Sequence, residues 1–422
     1  MQEDLLQYIW ACGYFNQQDL RTVDGEALEI LSPGQHNRNQ GPDFTAARIR
    51  LQGLEWVGKV ELHVRTSDWH RHGHQHDPQY NPVMLHVVWE HDSPGPSRIP
   101  VLELQGRIAG SLLATYTNWM LVPDAIPCAA SHAGAGLSLE ASWKMQLLEE
   151  RLSARTTHLL HELGLVTGHW EELCWRTLAR NFGYQVNADA FESLARSVPW
   201  KLVLRYRIQI HQLEALLFGQ SRLLEERFDD PYPQLLQKEY AYLRKLHHLV
   251  PIRESMQFLR MRPGNFPTVR LAQLAALLHA GIFPFDLILG GTSLQRLQTQ
   301  LDITANDFWH YHYRFQTSSG YAPKRLGISM IRSLLINTMV PVRYAYGLWT
   351  GDKSLRDSAL AWLAELPAES DQELYRFVQA GLHPEDAAAS QALHQLWKHY
   401  CSVKRCLDCA IGQRMLRPME TA

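Results

Sequence analysis

The spacing of apolar residues along the chain changes once, near residue 123. Before that point apolar positions alternate with polar ones or form short β-branched runs, which is the pattern of strands in a sheet. These runs predict strands over 27–31, 44–51, 54–65, 83–90 and 99–104. Residues 3–12 instead place Leu5, Leu6 and Ile9 on one helical stripe that ends near Gly13. The first part of the chain therefore predicts a helix followed by a small mixed sheet.

The second part of the chain has a helical period almost throughout. Residues 123–136 are rich in Pro, Ala, Gly and Ser, which is typical of a linker. Helices are predicted after it over 169–181, 188–196, 206–227, 234–247, 270–279, 293–299, 327–337, 354–365, 371–380 and 385–400. The sequence thus predicts an α/β domain over 1–122, a linker over 123–136 and a mainly α-helical domain over 137–422, with a division near 230 as an alternative to a single body.

Composition places the chain among ordinary globular proteins. Its 422 residues are 45% hydrophobic, enough for two or three domains that each bury a core. No run reaches about 18 apolar residues, and the first residues are acidic, so we expect neither a membrane span nor a signal peptide. Six cysteines, three of them between 401 and 409, are typical of a local ligand set in a reducing compartment. We therefore expect a cytoplasmic protein without a membrane partner.

Acidic and imidazole side chains meet in the predicted sheet. In the strand over 54–65 the apolar residues occupy even positions, so Glu61 and His63 share the polar face. Asp43 comes directly before the strand over 44–51, which precedes this strand in a hairpin. Carboxylate oxygens and imidazoles are ligands that divalent cations prefer. We therefore predict a divalent-cation site at Asp43 and Glu61, with His63 beside it.

The hairpin turn decides whether these side chains meet. A two-residue turn at 52–53 would put Asp43 on the face opposite Glu61. A three-residue loop would set Asp43 across from His63, and a bulge near Gly58 would repair the register in the same way. Because a carboxylate inside an apolar strand needs a partner, we expect Asp43 and Glu61 to share a face.

Histidines offer a rival metal site in the same region. Imidazole suits zinc and iron, and alternate residues of an extended segment point the same way. The candidate ligands are six histidines and two aspartates: His63, His70, His72, His74, His76, His86, Asp68 and Asp77. The alternative is a hydrated loop in which Asp68 caps a turn or a short helix.

A second set of ligand side chains lies near the C-terminus. Cys401, Cys406 and Cys409 have a Cys-x4-Cys-x2-Cys spacing, close enough for three thiolates to bind one ion. A fourth ligand would complete a tetrahedral zinc site or an iron–sulfur cluster. The candidates for it are His399, His394, Cys174 and Cys128. Buried, inert thiols on a helix are the alternative.

Net charge limits how the chain could bind nucleic acid. At −2 the chain has no overall basic field, so binding would need a local group of cations. With DNA or RNA as the partner, we expect that group to include Arg262, Arg270, Arg314, Lys324 and Arg325. The alternative is that these side chains form solvated helix faces.

Pro42-Asp43 followed by Glu61-Leu62-His63 resembles the metal-dependent nucleases named for Pro-Asp and Asp/Glu-x-Lys, and the predicted order of elements is similar to their core. The resemblance implies a nuclease-like fold for residues 1–122. It also implies that Asp43 and Glu61 hold Mg²⁺ or Mn²⁺, which polarises a phosphate and activates water. His63 would take the place of the lysine that orients the nucleophile.

Short motifs along nearly the whole chain carry a second resemblance. They are Gly41 to Phe44, Val60 to His63, Ser67 to Trp69, Leu85 to Val88, Asn181 to Tyr184 with Asn187, Phe191 and Glu192, Asn265 to Ala275, and Lys404 to Gly412. Together they resemble a bacterial family known only as domain of unknown function number 2851. The resemblance implies a bacterial cytoplasmic protein whose two parts belong together, and it implies no activity.

Three functions are compatible with these patterns. The first is a metal-dependent phosphodiesterase, a nuclease-like protein acting on nucleic acid, in which the helical domain positions the substrate. The second is a non-catalytic scaffold or binding protein with a degenerate nuclease-like fold. The third is a zinc or iron enzyme built on the histidines. Convergence of Asp43, Glu61 and His63 in one coordination sphere would favour the first.

Overall fold

The computed structural model describes residues 1–37, 39–123, 125–129, 138–282, 284–290 and 293–417. The chain forms two units, each described here by itself. The N-terminal unit comprises residues 1–143, 375–383 and 396–422, and the helical unit comprises residues 144–374 and 384–395. The predicted linker falls partly on residues 124 and 130–136, which lie outside the described residues.

A mixed sheet forms the centre of the N-terminal unit, as the alternating pattern predicts. Its strands are β1 (Leu28–Ser32), β2 (Gln35–His36), β3 (Phe44–Leu51), β4 (Leu54–Arg65), β5 (Val83–Glu90) and β6 (Val101–Glu103). The order is β1-β3-β4-β5-β6, with β2 paired to β3. β3 is antiparallel to β1 and β4, whereas β4, β5 and β6 are parallel. In the second half of β4 the side chains of both faces are buried, which is expected of a strand between two others.

The β3–β4 hairpin combines a two-residue turn with a bulge. Without a bulge, this two-residue turn at 52–53 would put Asp43 on the face opposite Glu61. The register then shifts by one residue at the start of β3, where Ala46 has a φ of 54° and the facing residues begin at Gly58. This bulge brings Asp43 back beside Glu61.

Helices of the N-terminal unit pack against the sheet. α1 (Glu3–Cys12) contacts β4, with Leu5, Leu6 and Ile9 buried. It ends at Gly13, whose φ of 67° is the left-handed conformation of a helix cap. α2 (Asp68–Arg71) also contacts β4. α3 (Gly110–Leu121) lies in a stretch for which the apolar pattern predicts no element.

The remainder of the described chain is mainly helical, as predicted. Its helices are α4 (Ala141–Leu165), α5 (Trp170–Phe182), α6 (Tyr184–Ser197), α7 (Trp200–Tyr206), α8 (Ile210–Gln220), α9 (Pro231–His247), α10 (Pro267–His279), α11 (Pro284–Leu289), α12 (Leu294–Gln300), α13 (Asp307–His310), α14 (Ile328–Leu334), α15 (Val340–Thr350), α16 (Lys353–Glu365), α17 (Gln372–Gln379), α18 (Ala387–Leu396) and α19 (Ala410–Leu416). A hairpin of β7 (His312–Arg314) and β8 (Thr317–Ser318) precedes α14, and a π-helix over Leu335–Met339 joins α14 to α15. Across the described ranges, no helix combines the length and apolar character needed to cross a membrane.

The C-terminal segment, with α19, belongs to the N-terminal unit. Trp143 packs edge-on against Tyr400, with ring centroids 5.3 Å apart. The Lys404 ammonium donates a hydrogen bond to the carbonyl of Met120 in α3. The sequence pattern assigns this segment to the helical domain, because periodicity identifies a helix but not the unit against which it packs.

Candidate metal centre

β4 and the segment after it supply the donor atoms of the candidate site. Glu61 and His63 lie on one face of β4 and are only 5% and 1% exposed. His72 caps the end of α2, and His74 begins a short 3₁₀ helix. Gly73 between them has a φ of 76°, a left-handed conformation that glycine adopts readily. The turn at Gly73 brings both flanking histidines onto His63.

The nitrogen and oxygen atoms of these side chains converge. His63 Nε2 lies 3.1 Å from His72 Nδ1 and 3.2 Å from His74 Nε2. Glu61 Oε1 lies 3.6 Å from His63 Nε2 and 3.4 Å from His74 Nε2. The ligand atoms of the three histidines all lie within 4.8 Å of one another. His63, His72 and His74 are therefore a group that could hold a metal ion.

His63 is held from behind by His86 on β5. His63 Nδ1 and His86 Nε2 are 2.9 Å apart, and both rings are buried. Burial, and then the charges of neighbouring histidines, lowers the pKa of His63 to about 2 and the pKa of His86 to about 3. Both imidazoles are therefore neutral at pH 7, which is the form that binds a metal.

Asp43 lies beside Glu61 but directs its oxygens elsewhere. Oδ1 accepts a hydrogen bond from Gln7 Nε2 at 2.9 Å, and Oδ2 accepts one from the Leu62 N–H at 2.9 Å. The Asp43 N–H in turn donates to Glu61 Oε2 at 3.0 Å. Glu61 thus uses one oxygen for the backbone of the neighbouring strand and directs the other towards the histidines. The arrangement brings Glu61 and His63 together with two further histidines, and Asp43 supports them through the backbone.

Burial makes negative charge on this face costly. Desolvation, and then the charge of Asp43, raises the pKa of Glu61 to about 9. Desolvation also raises the pKa of Asp43 above its ordinary value, although the hydrogen bonds from Leu62 and Gln7 act in the opposite direction. Glu61 therefore holds a proton at pH 7 in the metal-free protein, and a cation bound at Oε1 would displace that proton.

Aromatic rings flank the site beside His74. The Tyr80 ring stacks on the His74 ring with centroids 3.8 Å apart, and Trp69 meets His74 edge-on at 5.4 Å. Burial, and then the charges of Glu61 and Asp43, raises the pKa of Tyr80 to about 12. The Tyr80 hydroxyl therefore remains a hydrogen-bond donor at pH 7.

The other predicted ligands of this region point elsewhere. His70 and His76 are exposed. Asp68 is buried, but its Oδ2 accepts a backbone N–H at the end of β4 at 3.0 Å. Asp77 accepts a backbone N–H at 2.9 Å as the cap of a 3₁₀ turn. The segment is helical and turned rather than extended, so the expectation that all alternate histidines share a face is wrong, and only the two that flank Gly73 reach His63.

The C-terminal cysteines lie near a fourth thiol. Cys128, Cys401, Cys406 and Cys409 are all buried, and each of the six pairs among them interacts electrostatically. The Cys409 sulfur also accepts backbone N–H groups from the first turn of α19. Among the described residues, however, no three of these sulfur atoms lie within 4.8 Å of one another. The four thiols are thus neighbours at a wider spacing than the donor atoms of the histidines.

The other candidates for a fourth ligand have different surroundings. His394 forms ion pairs with Asp371 at 3.1 Å and Glu373 at 2.8 Å. Cys174 lies in the apolar core of the helical unit. His399 is exposed. Cys128 is therefore the predicted fourth ligand whose surroundings include the other thiols.

The cations predicted to bind nucleic acid have varied surroundings within the helical unit. Arg270 and Lys324 are buried and donate hydrogen bonds to polar groups of that unit. Arg325 forms an ion pair with an aspartate, and Arg314 lies over two phenylalanine rings. Arg262 is exposed. Arg270 and Lys324 thus support the helical fold, and the nucleic-acid partner stays a prediction that rests on the other three.

Two supporting residues were not apparent from the sequence. Gln7 holds Asp43 from α1, and Tyr80 stacks on His74 from a 3₁₀ turn. The helical spacing of α1 separates Gln7 from the apolar stripe, but no local pattern connects it to β3. No signal in the sequence marks Tyr80.

Comparison with known proteins identifies a family but no activity. The family described as "Protein of unknown function (DUF2851)" matches residues 3–372. No curated protein is significantly similar to the chain, and neither is any solved structure. The matched range includes the histidine site and Cys128, whereas the three C-terminal cysteines lie beyond it.

Proposed function

The chain belongs to the DUF2851 family, and we propose that it is a metal-dependent hydrolase. The ion is held by Glu61, His63 and His74, with the exposed His72 as a further donor beside them. This arrangement corresponds to the third function compatible with the sequence, in which the histidines form the metal site.

The triangle formed by Glu61 Oε1, His63 Nε2 and His74 Nε2 carries the proposal. Its three sides measure 3.6, 3.4 and 3.2 Å. Bonds of about 2.0–2.1 Å from a tetrahedral zinc ion to nitrogen and oxygen place the ligand atoms about 3.3–3.4 Å apart. The observed sides are therefore those of a three-ligand face around one ion, and no side chain would need to move far.

Zinc is the ion that suits these ligands best. Two histidines and a glutamate are a known ligand set of catalytic zinc sites, which leave one position open for water. Iron(II) is the second choice, because it also binds two histidines and one carboxylate on one face. When bound, such an ion lowers the pKa of a water molecule and polarises a carbonyl or phosphoryl oxygen. A Mg²⁺ or Mn²⁺ site shared by Asp43 and Glu61 has less support, because both oxygens of Asp43 already accept hydrogen bonds.

Residues around the triangle orient the ligands. A hydrogen bond between His63 Nδ1 and His86 Nε2 orients the His63 ring, and an ion would bind His63 Nε2 in the tautomer that carries the proton on Nδ1. The Asp43 N–H fixes Glu61 by its other oxygen. The Tyr80 hydroxyl, which keeps its proton at pH 7, is available to donate a hydrogen bond to a bound substrate.

A phosphodiester is the substrate class that we propose, because Pro42-Asp43 with Glu61-Leu62-His63 resembles a nuclease motif. The test is hydrolysis of bis(p-nitrophenyl) phosphate and p-nitrophenyl acetate by protein loaded with Zn²⁺, Fe²⁺, Mn²⁺ or Mg²⁺. His74→Ala removes a ligand, and His76→Ala is the matched control, because His76 is exposed two residues away. We expect zinc-dependent phosphodiester hydrolysis that falls at least about 100-fold in His74→Ala and is unchanged in His76→Ala.

Other outcomes would reject parts of this proposal. Cleavage of the acetate ester alone would contradict the phosphodiester substrate. Equal activity in both histidine variants would place the activity outside this site. No hydrolysis with any of the four ions would favour the scaffold over the hydrolase.

We also propose that Cys128, Cys401, Cys406 and Cys409 bind a metal cluster that fastens the C-terminal segment. Four thiolates are the ligand set both of structural zinc and of iron–sulfur clusters. A single zinc ion, with Zn–S bonds of about 2.3 Å, would hold the sulfurs about 3.8 Å apart. We propose an iron–sulfur cluster first, in which iron and sulfide lie between the thiolates, with structural zinc as the alternative.

A further inference from the structure

The helical unit contains a cavity of about 200 Å³ that takes no part in the proposed hydrolase site. The cavity lies between α4, α5, α6 and the π-helix over Leu335–Met339. Its charged and amide lining includes Arg155, Arg176, Arg180, Glu162, Glu192 and Asn337. Two leucines and a proline form part of the remaining wall.

One cation in this lining forms no ion pair. Arg176 and Arg180 form ion pairs with glutamates at 2.8 and 2.6 Å, and Glu162 pairs with an arginine at 2.8 Å. Arg155 instead donates from Nη2 to the amide oxygen of Asn337 at 3.0 Å. Arg155 forms no ion pair with any residue that the structure describes.

The surroundings of Arg155 make this charge costly. Desolvation, and then the like charge of Arg151 one turn earlier on α4, lowers the pKa of Arg155 to about 9, although the charge of Glu369 acts in the opposite direction. Arg155 therefore still carries its charge at pH 7. Arg151 donates from Nε to the amide oxygen of Gln391 at 2.6 Å. A half-buried cation that forms no ion pair and lines a cavity is available to bind an anion, and groups with perturbed pKa values concentrate at functional sites.

The π-helix holds Asn337, the hydrogen-bond partner of Arg155, in place. Pro341 has no N–H, so the carbonyl of Asn337 four residues earlier receives no helical hydrogen bond from it. Asn181 on α5 takes this role, because its Nδ2 donates to the Asn337 carbonyl at 3.0 Å. Single π-turns of this kind are frequent at functional sites. Residues of α5 and α15 therefore determine how Asn337, the partner of a guanidinium without an ion pair, is held.

We propose that this cavity binds a small monocarboxylate whose two oxygens accept paired N–H groups of Arg155. Guanidinium and carboxylate groups match in planar geometry. One guanidinium without an ion-pair partner calls for one negative charge, and the glutamates Glu162 and Glu192 would repel a dianion such as phosphate. The apolar wall formed by Leu159, Leu173 and Pro341 suits an apolar body about the size of one substituted ring.

Benzoate is a suitable probe, with benzamide as its neutral isostere and inorganic phosphate as a dianion. Calorimetric titration of the full chain should show benzoate binding, with benzamide at least roughly tenfold weaker because it lacks the charge-assisted hydrogen bonds. Arg155→Met should abolish benzoate binding, because it removes the cation that donates the paired hydrogen bonds. Arg222→Met is the matched control, since Arg222 is exposed in the same unit and pairs with Glu225. It should bind benzoate as the wild type does.

Arg155→Lys keeps the proposal testable if the methionine variant does not fold. Lysine keeps the charge but lacks the planar fork, so benzoate should bind roughly tenfold more weakly than to the wild type. Unchanged benzoate binding in Arg155→Lys or Arg155→Met, or equal binding of benzamide, would overturn the role of Arg155. Arg155-dependent binding of phosphate in place of benzoate would overturn the monocarboxylate. No binding of benzoate to the wild type would reject the site.

Discussion

The histidine site and the cysteine cluster both gather metal-ligand side chains, but they differ in the spacing of their donor atoms. Glu61, His63 and His74 form a triangle with sides of 3.2 to 3.6 Å. No three of the described cysteine sulfurs lie within 4.8 Å of one another. Residue types thus identify a candidate ligand set, whereas inter-ligand distances show which set already has the spacing of ligands around one ion.

The two sites also differ in how far along the chain their ligands lie. Glu61 to His74 occupy one short segment, whereas Cys128 and Cys401 are 273 residues apart. A metal at the first site therefore acts mainly on local geometry and chemistry. A metal at the second closes a long loop and should contribute to folding of the N-terminal unit.

The largest expected effect is loss of the cysteine-bound metal. Cys128→Ser, or removal of the metal from the wild type, should lower the melting temperature of the N-terminal unit by about 5 °C or more, because a loss of 1 kcal/mol shifts a unit of this size by about 2–4 °C. Differential scanning calorimetry before and after metal removal would measure the shift. Anaerobically purified wild-type protein should also show the visible absorbance of an iron–sulfur cluster.

Cys174→Ser is the matched control for this experiment. Cys174 is also buried, but it lies in the core of the helical unit. This variant should keep the absorbance and still respond to metal removal, whereas Cys128→Ser should do neither. An identical response of both variants would count against a metal at the cysteine cluster, and bound zinc without visible absorbance would count against iron and sulfide.

The next effect concerns the charge of Glu61. Glu61→Gln keeps the acceptor for the Asp43 N–H but removes the anionic ligand. Zinc affinity should therefore fall by more than about 100-fold, which exceeds the loss expected when a residue that only supports a ligand is replaced. Without metal the variant should melt at the same or a higher temperature, since burial already opposes ionisation of Glu61. Glu55→Gln is the control, because Glu55 is exposed on the same strand. Equal zinc affinity of the two variants, measured by competition with a chelator, would remove Glu61 from the site.

His86 should have a smaller effect through His63. His86→Leu deletes the hydrogen-bond partner of His63 Nδ1, and zinc affinity should fall by about 10–100-fold. His86→Gln offers a carbonyl oxygen in the same region and should restore part of the affinity. Failure of glutamine to bind zinc better than leucine would show that His86 acts by packing alone.

The smallest effect is a pH dependence. The pKa of Glu61 is about 9 in the metal-free folded protein and 4.5 ordinarily, so its contribution to stability declines as pH rises from about 4.5 to 9. His63 and His86 have pKa values of about 2 and 3 in the folded protein, against 6.5 ordinarily. Below pH 6.5 the unfolded chain therefore binds protons that the folded protein does not, and the free energy of unfolding rises with pH up to about 6.5. Above pH 6.5 the proton on Glu61 is the one that zinc must displace, so zinc affinity should rise about tenfold per pH unit up to pH 9. In Glu61→Gln this slope should disappear, and a slope that persists would assign the proton to another group.

Much of the fold was predictable because it follows local periodicity. The mixed sheet, α1 and most of the later helices follow from apolar spacing alone. Apolar spacing left the hairpin register open between a longer loop and a bulge near Gly58, and the bulge forms, with its extra residue on β3 around Ala46. The helix predicted over 206–227 is limited to α8, Ile210–Gln220, although leucines continue beyond its end at Leu223 and Leu224.

The residue types of the candidate site were predictable from the sequence. Which of several similar histidines would form the site was not. The four loop histidines His70, His72, His74 and His76 have similar sequence surroundings, and the left-handed turn at Gly73 brings only two of them to the site. The position of Cys128 beside the C-terminal thiols is a long-range contact that no spacing rule provides. The role of Arg155 follows from desolvation in a cavity, which likewise has no local signature.

X-ray absorption at the zinc edge tests the central claim most directly. The sample is Cys406→Ser protein with one equivalent of Zn²⁺, so that the cysteine cluster does not compete for the ion. Zinc bound by Glu61, His63 and His74 should show nitrogen and oxygen ligands at about 2.0–2.1 Å, with imidazole scattering that loses one histidine in His74→Ala and none in His76→Ala. A sulfur shell at about 2.3 Å, or imidazole scattering that is the same in both histidine variants, would contradict this claim.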